Sequence, residues 1–180
     1  MIILILQSTW KAIEIGIATI KNESSHILCS DLIDKHKSAL LVIAIETLLK
    51  KANLNFFDIS LCVVNKGPAP FTTLRTIIAT ANGFKSAHNV PLYGVDGLKA
   101  VASEYREYQK SFLFLMNAYA NELYFYSPEP FIFDGASYGY ASINTIIEKI
   151  KEYKISIIAG SGTEQLTNYI KNYNISLDIA

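Results

Sequence analysis

The histidines and cysteines are the first candidates for chemistry in this sequence of 180 residues. His26, His36 and His88 stand too far apart in the chain to form a local metal-binding motif. His36, at the start of a predicted helix, could act as a ligand or a base, but an exposed capping role is favoured for a single histidine there. Cys29 and Cys62 lie within apolar runs, which is typical of reduced core residues in a cytosolic protein.

The segment Lys66–Arg75, KGPAPFTTLR, has the clearest motif character. It joins a predicted buried strand to the N-terminus of a predicted helix, where backbone N–H groups and the helix dipole favour a phosphate. The segment holds one glycine, and its two prolines remove backbone donors. The pattern therefore indicates a loop at the position of a phosphate-binding loop, but with few of the glycines and backbone donors that phosphate binding uses.

Two positions suited to a catalytic carboxylate carry amides instead. Gln7 follows the first predicted strand, where nucleotide-binding folds of this layout place an acidic residue, and Asn117 ends the first strand of the second half. An amide neither binds magnesium well nor accepts a proton. No HExxH, CxxC or P-loop motif occurs in the sequence. We therefore expect a site without catalysis and without a bound metal or cofactor.

The charge and apolar content narrow the class of protein. Acidic and basic residues number 16 each, which disfavours an independent nucleic-acid-binding domain. Apolar residues make up 51% of the chain, too many for a disordered protein. The longest apolar run, Ala39–Ile45, is far shorter than a membrane span, and the N-terminus lacks the basic region of a signal peptide. We expect a soluble cytoplasmic protein that does not associate with membranes.

The elements that must position these residues follow from the hydrophobic periodicity. An apolar run and a hydrophobic period of two predict strands at the start of the chain, and the short turns between three such strands predict an antiparallel meander. Helical spacing and further apolar runs predict the elements that follow. In chain order the first lobe is predicted to be β-β-β-α-β-α-β-α. Its elements are the strands Ile2–Leu6, Ile13–Ile20 and His26–Ile33, a helix over Lys37–Ala52, the strand Ile59–Val64, a helix with Thr72 as N-cap, the strand Pro91–Val95, and a helix capped by Asp96 that runs to Tyr105.

The first two predicted helices have unusual surfaces. The helix over Lys37–Ala52 is apolar around most of its circumference, so it is covered on two sides, either deep within the chain or by a partner. The second helix carries small residues on one side, which allow another helix to approach closely. These small residues are Thr76, Ala79, Thr80, Gly83 and Ala87.

The second half of the chain differs in composition. Residues 1–100 carry a net charge of +3 and residues 101–180 a net charge of −3, and ten of the eleven tyrosines follow residue 100. We predict two domains, 1–100 and 101–180. The second contains the predicted strands Phe112–Met116, Glu122–Tyr126, Phe131–Phe133, Ser137–Ala141 and Ile155–Ala159, a helix capped by Ser142, the loop Gly160–Gly162, and a closing helix Thr163–Tyr173.

These motifs together resemble the TsaB (YeaZ) family of the actin, sugar kinase and chaperone ATPase superfamily. The family hallmark is close to GPGSFTGLR followed by a helix with a glycine, and this chain departs from it at Ala69, Pro70 and Thr73. The matching residues are Gly67, Pro68, Phe71, Thr72, Leu74, Arg75 and Gly83. The segment Val90–Leu98, VPLYGVDGL, which follows the loop, is part of the specific match. Weaker similarities are Leu6–Thr9, His36–Leu41, Asn117–Tyr124 and Gly160–Gly162.

The resemblance implies a fold, a role and partners. The fold would be an actin-like (ribonuclease H-like) α/β lobe with a second, shortened α/β lobe. The role would be that of a non-catalytic subunit that pairs with TsaD, the catalytic paralogue, while the ATPase TsaE joins the assembly. The complex installs threonylcarbamoyladenosine next to the anticodon of tRNAs that read ANN codons, so that contact with tRNA would be indirect. A homodimer would also be possible for the chain alone.

The resemblance also assigns residues. Family members pair through the first two helices, which implies an interface at Leu41, Ile45, Thr76, Ala79, Thr80 and Gly83. Gly67, Pro68, Phe71, Thr72 and Arg75 would form a vestigial phosphate loop. Three alternatives stay open: an active kinase or ATPase of the same superfamily, a peptidase, for which the sequence shows no nucleophile or metal triad, and a purely homodimeric scaffold.

Overall fold

A computed structural model describes residues 1–22, 24–105, 111–170 and 178–179 of the chain. The chain divides into two compact units, Met1–Gly97 and Leu98–Ala180. Each unit is built around its own five-stranded mixed sheet. Within the described residues, no helix combines the length and apolarity needed to cross a membrane.

The first unit contains the predicted meander. Strands β1 and β2 pair antiparallel, β2 pairs antiparallel with β3, and β4 and β5 extend the sheet in parallel to β1, in the order β3-β2-β1-β4-β5. The parallel strands need crossover connections, and the two main helices of the unit supply them. The strands are β1 (Ile2–Ser8), β2 (Ala12–Lys21), β3 (Ser24–Asp34), β4 (Ile59–Asn65) and β5 (Leu92–Val95).

The helices of this unit start at different residues from those predicted. The predicted helix Lys37–Ala52 begins as a 3₁₀-helix, Lys35–Leu40, and continues as α1, Leu41–Lys51. The next helix, α2, spans Phe71–His88 with Pro70 at the N-cap, so the prediction of Thr72 as N-cap was wrong. A proline before the first turn fits because the first N–H groups of a helix have no intrahelical acceptor.

The core of the first unit lies between the sheet and these helices. The alternation of β2 directs Ile13, Ile15 and Ile17 to the same side, and all three are buried in one cluster with Ile45 of α1 and Ile77 of α2. At roughly 1.5–3 kcal/mol for each large aliphatic side chain, this burial is the main force that fixes α1 and α2 on the sheet.

The second unit repeats the plan of a mixed sheet with helices. Its strands are ordered β10-β9-β6-β7-β8, with β6, β7 and β8 antiparallel and β9 parallel to β6. The amphipathic helix α4 directs its isoleucines into the core. The elements are α3 (Gly97–Glu104), β6 (Phe112–Asn117), β7 (Glu122–Tyr126), β8 (Tyr138–Ser142), α4 (Ile143–Tyr153), β9 (Ile157–Ala159), α5 (Thr163–Ile170) and β10 (Asp178–Ile179).

Three predictions for the second unit need correction or stay open. The predicted strand Phe131–Phe133 is a 3₁₀-helix, Pro130–Phe133, because proline supports a helical first turn and Asp134 then reverses the chain at φ 52°. The predicted strand Ile155–Ala159 is shorter, Ile157–Ala159. The last residues of the predicted helix Thr163–Tyr173, positions 171–173, lie outside the described residues.

Candidate functional site

The loop that follows β4 is held by backbone contacts. Gly67 has φ +110°, a conformation that favours glycine, and its N–H donates to Oδ1 of Asn65 over 2.8 Å. Its carbonyl accepts a hydrogen bond of 2.7 Å from the N–H of Gly97. A Cβ atom at Gly97 would lie 2.8 Å from that carbonyl, so close backbone approach requires the glycine at 97, whereas the positive φ favours the glycine at 67. Gly67 therefore has a structural function that does not depend on a ligand.

Two buried hydroxyl groups occupy the start of α2. Oγ of Ser8, from the end of β1, lies 2.6 Å from Oγ1 of Thr73, and the Thr73 hydroxyl donates to the carbonyl of Pro70 over 3.0 Å. Both side chains are buried. Since each hydroxyl has one proton, Ser8 donates to Thr73 in this arrangement. Thr73 is one of the departures from the family hallmark, and its side chain fills the space beside the loop.

The other predicted loop residues face outward. Phe71, Thr72 and Arg75 are exposed, and the Arg75 guanidinium lies 5.2 Å from the centre of the Phe71 ring, a cation–π distance. Together with Thr76 and Ala79 they line an open groove of about 370 Å³. This arrangement places Arg75 on the same side of α2 as the small residues Thr76 and Ala79.

A carboxylate lies beside Gln7 that sequence reasoning missed. The register of β1 and β2 pairs Gln7 with Glu14, and Nε2 of Gln7 donates to Oε2 of Glu14 over 3.3 Å. The signal was available, because the meander prediction and a short turn already place these two residues opposite each other. The end of β1 therefore has an acidic group, contributed by the neighbouring strand.

Asn117 serves a turn of the second unit. Its Oδ1 accepts from the N–H of Tyr119 over 2.8 Å, at the start of the hairpin that joins β6 and β7.

In the same unit, Gly160 has φ +97°, and a Cβ atom there would collide with the Leu115 carbonyl. Within the described part of the chain, no group of three or more histidine, cysteine or acidic residues could hold a metal ion.

The predicted partner surface on α1 needs a correction. Leu41 and Ile45 are 1% and 0% exposed and lie in the core of the first unit, where a partner cannot contact them. The apolar residues that α1 leaves on the surface are Val42 and Ile43, at 52% and 60% exposure. Both sides of α1 are apolar, as the sequence indicated, but the exposed side is the one formed by Val42 and Ile43.

The small residues of α2 lie at the surface next to α1. Ala79 and Gly83 are exposed, Thr76 and Thr80 are half-buried, and a Cβ atom at Gly83 would meet no atom within 4 Å. A groove of about 210 Å³ lies along this side. Its lining residues are Val42, Thr80, Gly83, Phe84, Ala87 and His88. We call the exposed residues Val42, Ile43, Ala79 and Gly83, with the half-buried Thr76 and Thr80, the two-helix surface.

The two cysteines are free thiols. Burial raises the pKa of the Cys62 thiol to about 11, and burial also raises the pKa of the half-buried Cys29, against a smaller opposing effect of Lys51. A raised thiol pKa lowers the thiolate fraction at neutral pH, so both side chains are poor nucleophiles.

Comparison with known proteins gives a family and a fold. The family model described as "TsaD: tRNA N6-adenosine threonylcarbamoyltransferase" matches residues 30–175. YeaZ from Pseudomonas aeruginosa is 17% identical, with a TM-score of 0.64 over 99% of this chain and 84% of that chain. A protein with similarity to peptidase YEAZ, from the same organism, is 16% identical, with a TM-score of 0.65 over 99% of this chain and 83% of that chain. The predicted α/β fold class is thereby confirmed, and so is the resemblance on which it depended.

Curated sequences give a shorter match. An uncharacterized protein of Mycobacterium tuberculosis is 39% identical over 56 residues, which is 31% of this chain. An uncharacterized protein of Mycobacterium bovis matches to the same extent. The matched segment spans 26% of the length of these relatives, about a quarter.

Proposed function

The chain belongs to the family whose model is described as TsaD: tRNA N6-adenosine threonylcarbamoyltransferase, and we propose that it is a non-catalytic subunit of the TsaB (YeaZ) type that pairs with TsaD. Its role is to support threonylcarbamoylation of the adenosine next to the anticodon in tRNAs that read ANN codons. TsaE joins through the complex, tRNA is contacted indirectly, and the assembly is cytoplasmic.

The two-helix surface is the observation that carries this proposal. It combines the exposed aliphatic side chains of Val42 and Ile43 with Gly83. A side chain at position 83 would not collide with any other part of the chain, so packing within the chain does not explain the glycine. A glycine in a helix interior costs about 1 kcal/mol relative to alanine. Close approach of a helix from another chain explains that cost, since only a residue without a side chain lets two helix backbones meet at short distance.

The loop after β4 supports the non-catalytic role. The buried Thr73 hydroxyl is bonded to Ser8 and to the carbonyl of Pro70, and Pro70 has no N–H to offer a phosphate. Phe71 and Arg75 face an open groove. The residues of the predicted vestigial phosphate loop thus have backbone or surface roles.

The test is association with TsaD from the same cell, measured by size-exclusion chromatography with light scattering. Val42→Glu places a charge in the two-helix surface and should abolish the complex and the modified nucleoside in a complementation assay. Asn82→Glu adds the same charge at an exposed position about 100° from Gly83 around α2 and should retain both. Equal retention by the two variants would refute the proposed interface, whereas failure of the wild-type chain to bind TsaD would refute the function.

A second candidate, an active nucleotide-binding ATPase, is favoured by one observation. Glu14 brings a carboxylate to the end of β1, next to Gln7. If this carboxylate held magnesium, calorimetry would show stoichiometric Mg-ATP binding at micromolar affinity that Glu14→Gln removes. We expect no such binding, because the loop has a single glycine, and Pro68 and Pro70 lack the backbone N–H groups that a phosphate would accept.

A further inference from the structure

Strand β8 forms one edge of the sheet in the second unit. It is the last strand on its side of the described sheet and consists of uncharged residues, YGYAS. Tyr138 and Tyr140 project on the same face, opposite Tyr126 and Tyr124 of β7. Tyr140 is 67% exposed. The edge is therefore accessible and carries large rings at alternate positions.

The hydrogen bonds to β7 show which backbone groups of β8 point outward. The N–H of Ser127 donates to the carbonyl of Ser137 over 2.7 Å, and the N–H of Ile143 donates to the carbonyl of Asn121 over 2.9 Å. Hydrogen-bonded and non-hydrogen-bonded pairs alternate in an antiparallel ladder. The odd-numbered residues of β8 therefore face β7, and the N–H and C=O groups of Tyr138 and Tyr140 point away from the sheet.

Strand β3, an edge strand of the sheet in the first unit, is protected against pairing with another strand, whereas β8 is not. Strand β3 has a register shift opposite Ile17 and Ala18, and Oδ1 of Asp31 accepts from the N–H of Leu32 over 2.9 Å. Irregular pairing and edge charges are common devices against unwanted strand pairing. Strand β8 pairs with β7 without a register shift and contains no proline or charge. The contrast favours β8 as an edge that accepts a strand.

We propose that β8 pairs antiparallel with β8 of a second copy of this chain, about a two-fold axis at Tyr140. The N–H of each Tyr140 then donates to the carbonyl of the other, and Tyr138 lies opposite Ser142 of the second copy. The two sheets become one sheet of ten strands, and the tyrosine rows continue across the axis, where aromatic cross-strand pairs are favourable.

Charges on both sides of the axis complement this pairing. In register, Ser142 lies opposite Glu122 of β7, and Nζ of Lys99 lies 5.2 Å from the centre of the Tyr138 ring. Across the axis the row becomes Glu122, Ser142 and then Tyr138 of the second copy, with strands about 4.8 Å apart. Each Lys99 is thereby brought toward Glu122 of the other copy, and the two-fold axis provides this attraction twice. Because β8 is uncharged and has Glu122 and Lys99 beside it, this edge is electrostatically complementary to a second copy of itself.

Cysteine cross-linking tests the register. Directly opposite residues have Cα atoms about 4.5–5.5 Å apart, within the range of a disulfide. In a Cys29→Ser background, Tyr140→Cys should therefore form a covalent dimer under mild oxidation. Tyr138→Cys and Ser142→Cys should each remain monomeric on denaturing gels but cross-link when mixed. Cross-linking at Tyr138→Cys alone would overturn the register, and no cross-linking at Tyr140→Cys would overturn the pairing.

A pair of substitutions separates backbone pairing from contact through the rings. Tyr140→Pro removes the outward N–H and leaves the hydrogen bonds between β7 and β8 in place, while Tyr140→Thr keeps the N–H and removes the ring. Because two symmetric bonds are lost, Tyr140→Pro should weaken dimerisation by about 30-fold or more in sedimentation equilibrium. Tyr140→Thr should retain a measurable dimer, and circular dichroism should show both variants folded.

Three results would overturn the proposal. One is a wild-type chain that stays monomeric at about 100 μM, a concentration well above typical affinities of specific complexes. Another is a dimer that Tyr140→Pro leaves intact and Val42→Glu dissociates, which would place the dimer on the two-helix surface. The third is equal loss with Thr and Pro, which indicates a contact through the ring. These outcomes do not depend on binding to TsaD, so they are separable from the proposed function.

Discussion

Gly83→Leu gives the sharpest test of the two-helix surface, because stability and association should change in opposite directions. In the chain alone, the new side chain meets no atom at its Cβ position and projects into the groove beside Val42. Glycine is about 1 kcal/mol less favourable than alanine in a helix interior, and leucine is close to alanine. Gly83→Leu should therefore raise the free energy of unfolding by roughly 0.5–1 kcal/mol. For a protein of this size that corresponds to a rise of about 1–4 °C in Tm.

In the proposed complex with TsaD, the same side chain would enter a packed helix contact. Overpacking of this kind costs roughly 1–3 kcal/mol. It should therefore raise the dissociation constant for TsaD by about 5- to 150-fold. Thermal unfolding of the isolated chain and calorimetric titration with TsaD measure the two quantities. Asn82→Leu, at an exposed position about 100° around the same helix, is the matched control and should leave affinity unchanged.

The result that refutes this reasoning is equally specific. If Gly83→Leu lowers the stability of the isolated chain, the groove beside α2 is filled within the chain and the partner argument fails. If stability rises and affinity for TsaD is unchanged, TsaD binds a different surface. Gly83→Ala adds one methyl group and should raise the stability of the isolated chain about as much as Gly83→Leu while weakening TsaD binding less, which distinguishes steric exclusion from an indirect effect on folding.

Three further predictions test the structure. Thr73→Val should lower the free energy of unfolding by roughly 1–3 kcal/mol, because Ser8 is left buried without its acceptor, and Ser8→Ala in the same chain should recover part of the loss in denaturant titrations. Gly160→Ala should destabilise by roughly 1–3 kcal/mol, through its positive φ and the collision with the Leu115 carbonyl, whereas Gly135→Ala, also at positive φ but in open space, should cost less. Because the pKa of the Cys62 thiol is raised to about 11 in the folded chain, the unfolded chain loses that proton first, so stability should fall as pH rises above about 9. Cys62→Ala should remove that part of the pH dependence, and a thiol reagent should modify Cys62 only after unfolding.

Much of the fold could be predicted from the sequence, because the signals are local. Ile13, Ile15 and Ile17 alternate with small and polar residues, and a strand with one covered face is the structure that separates them. The failure at Phe131–Phe133 is also local in origin. Three consecutive apolar residues fit a buried strand as well as a helical turn, and Pro130 was the signal that decides between them.

The site was harder to predict because it depends on which side of an element faces the core. The apolar band of α1 covers most of its circumference, so its sequence pattern does not separate Leu41 and Ile45 from Val42 and Ile43. Packing of α1 against the sheet makes that choice. Glu14 was missed for a related reason, since it meets Gln7 only through the register of two strands.

The residues that this chain shares with the family hallmark have positions in the structure that explain them without a nucleotide. Gly67 is required by φ +110° and by the contact of its carbonyl with Gly97, and Arg75 lies over Phe71 in the groove that continues along α2. Thr73, which departs from the hallmark, fills the start of the helix with a hydroxyl bonded to Ser8. We therefore interpret the loop and the small-residue side of α2 as one surface, which is the surface proposed to bind a protein partner.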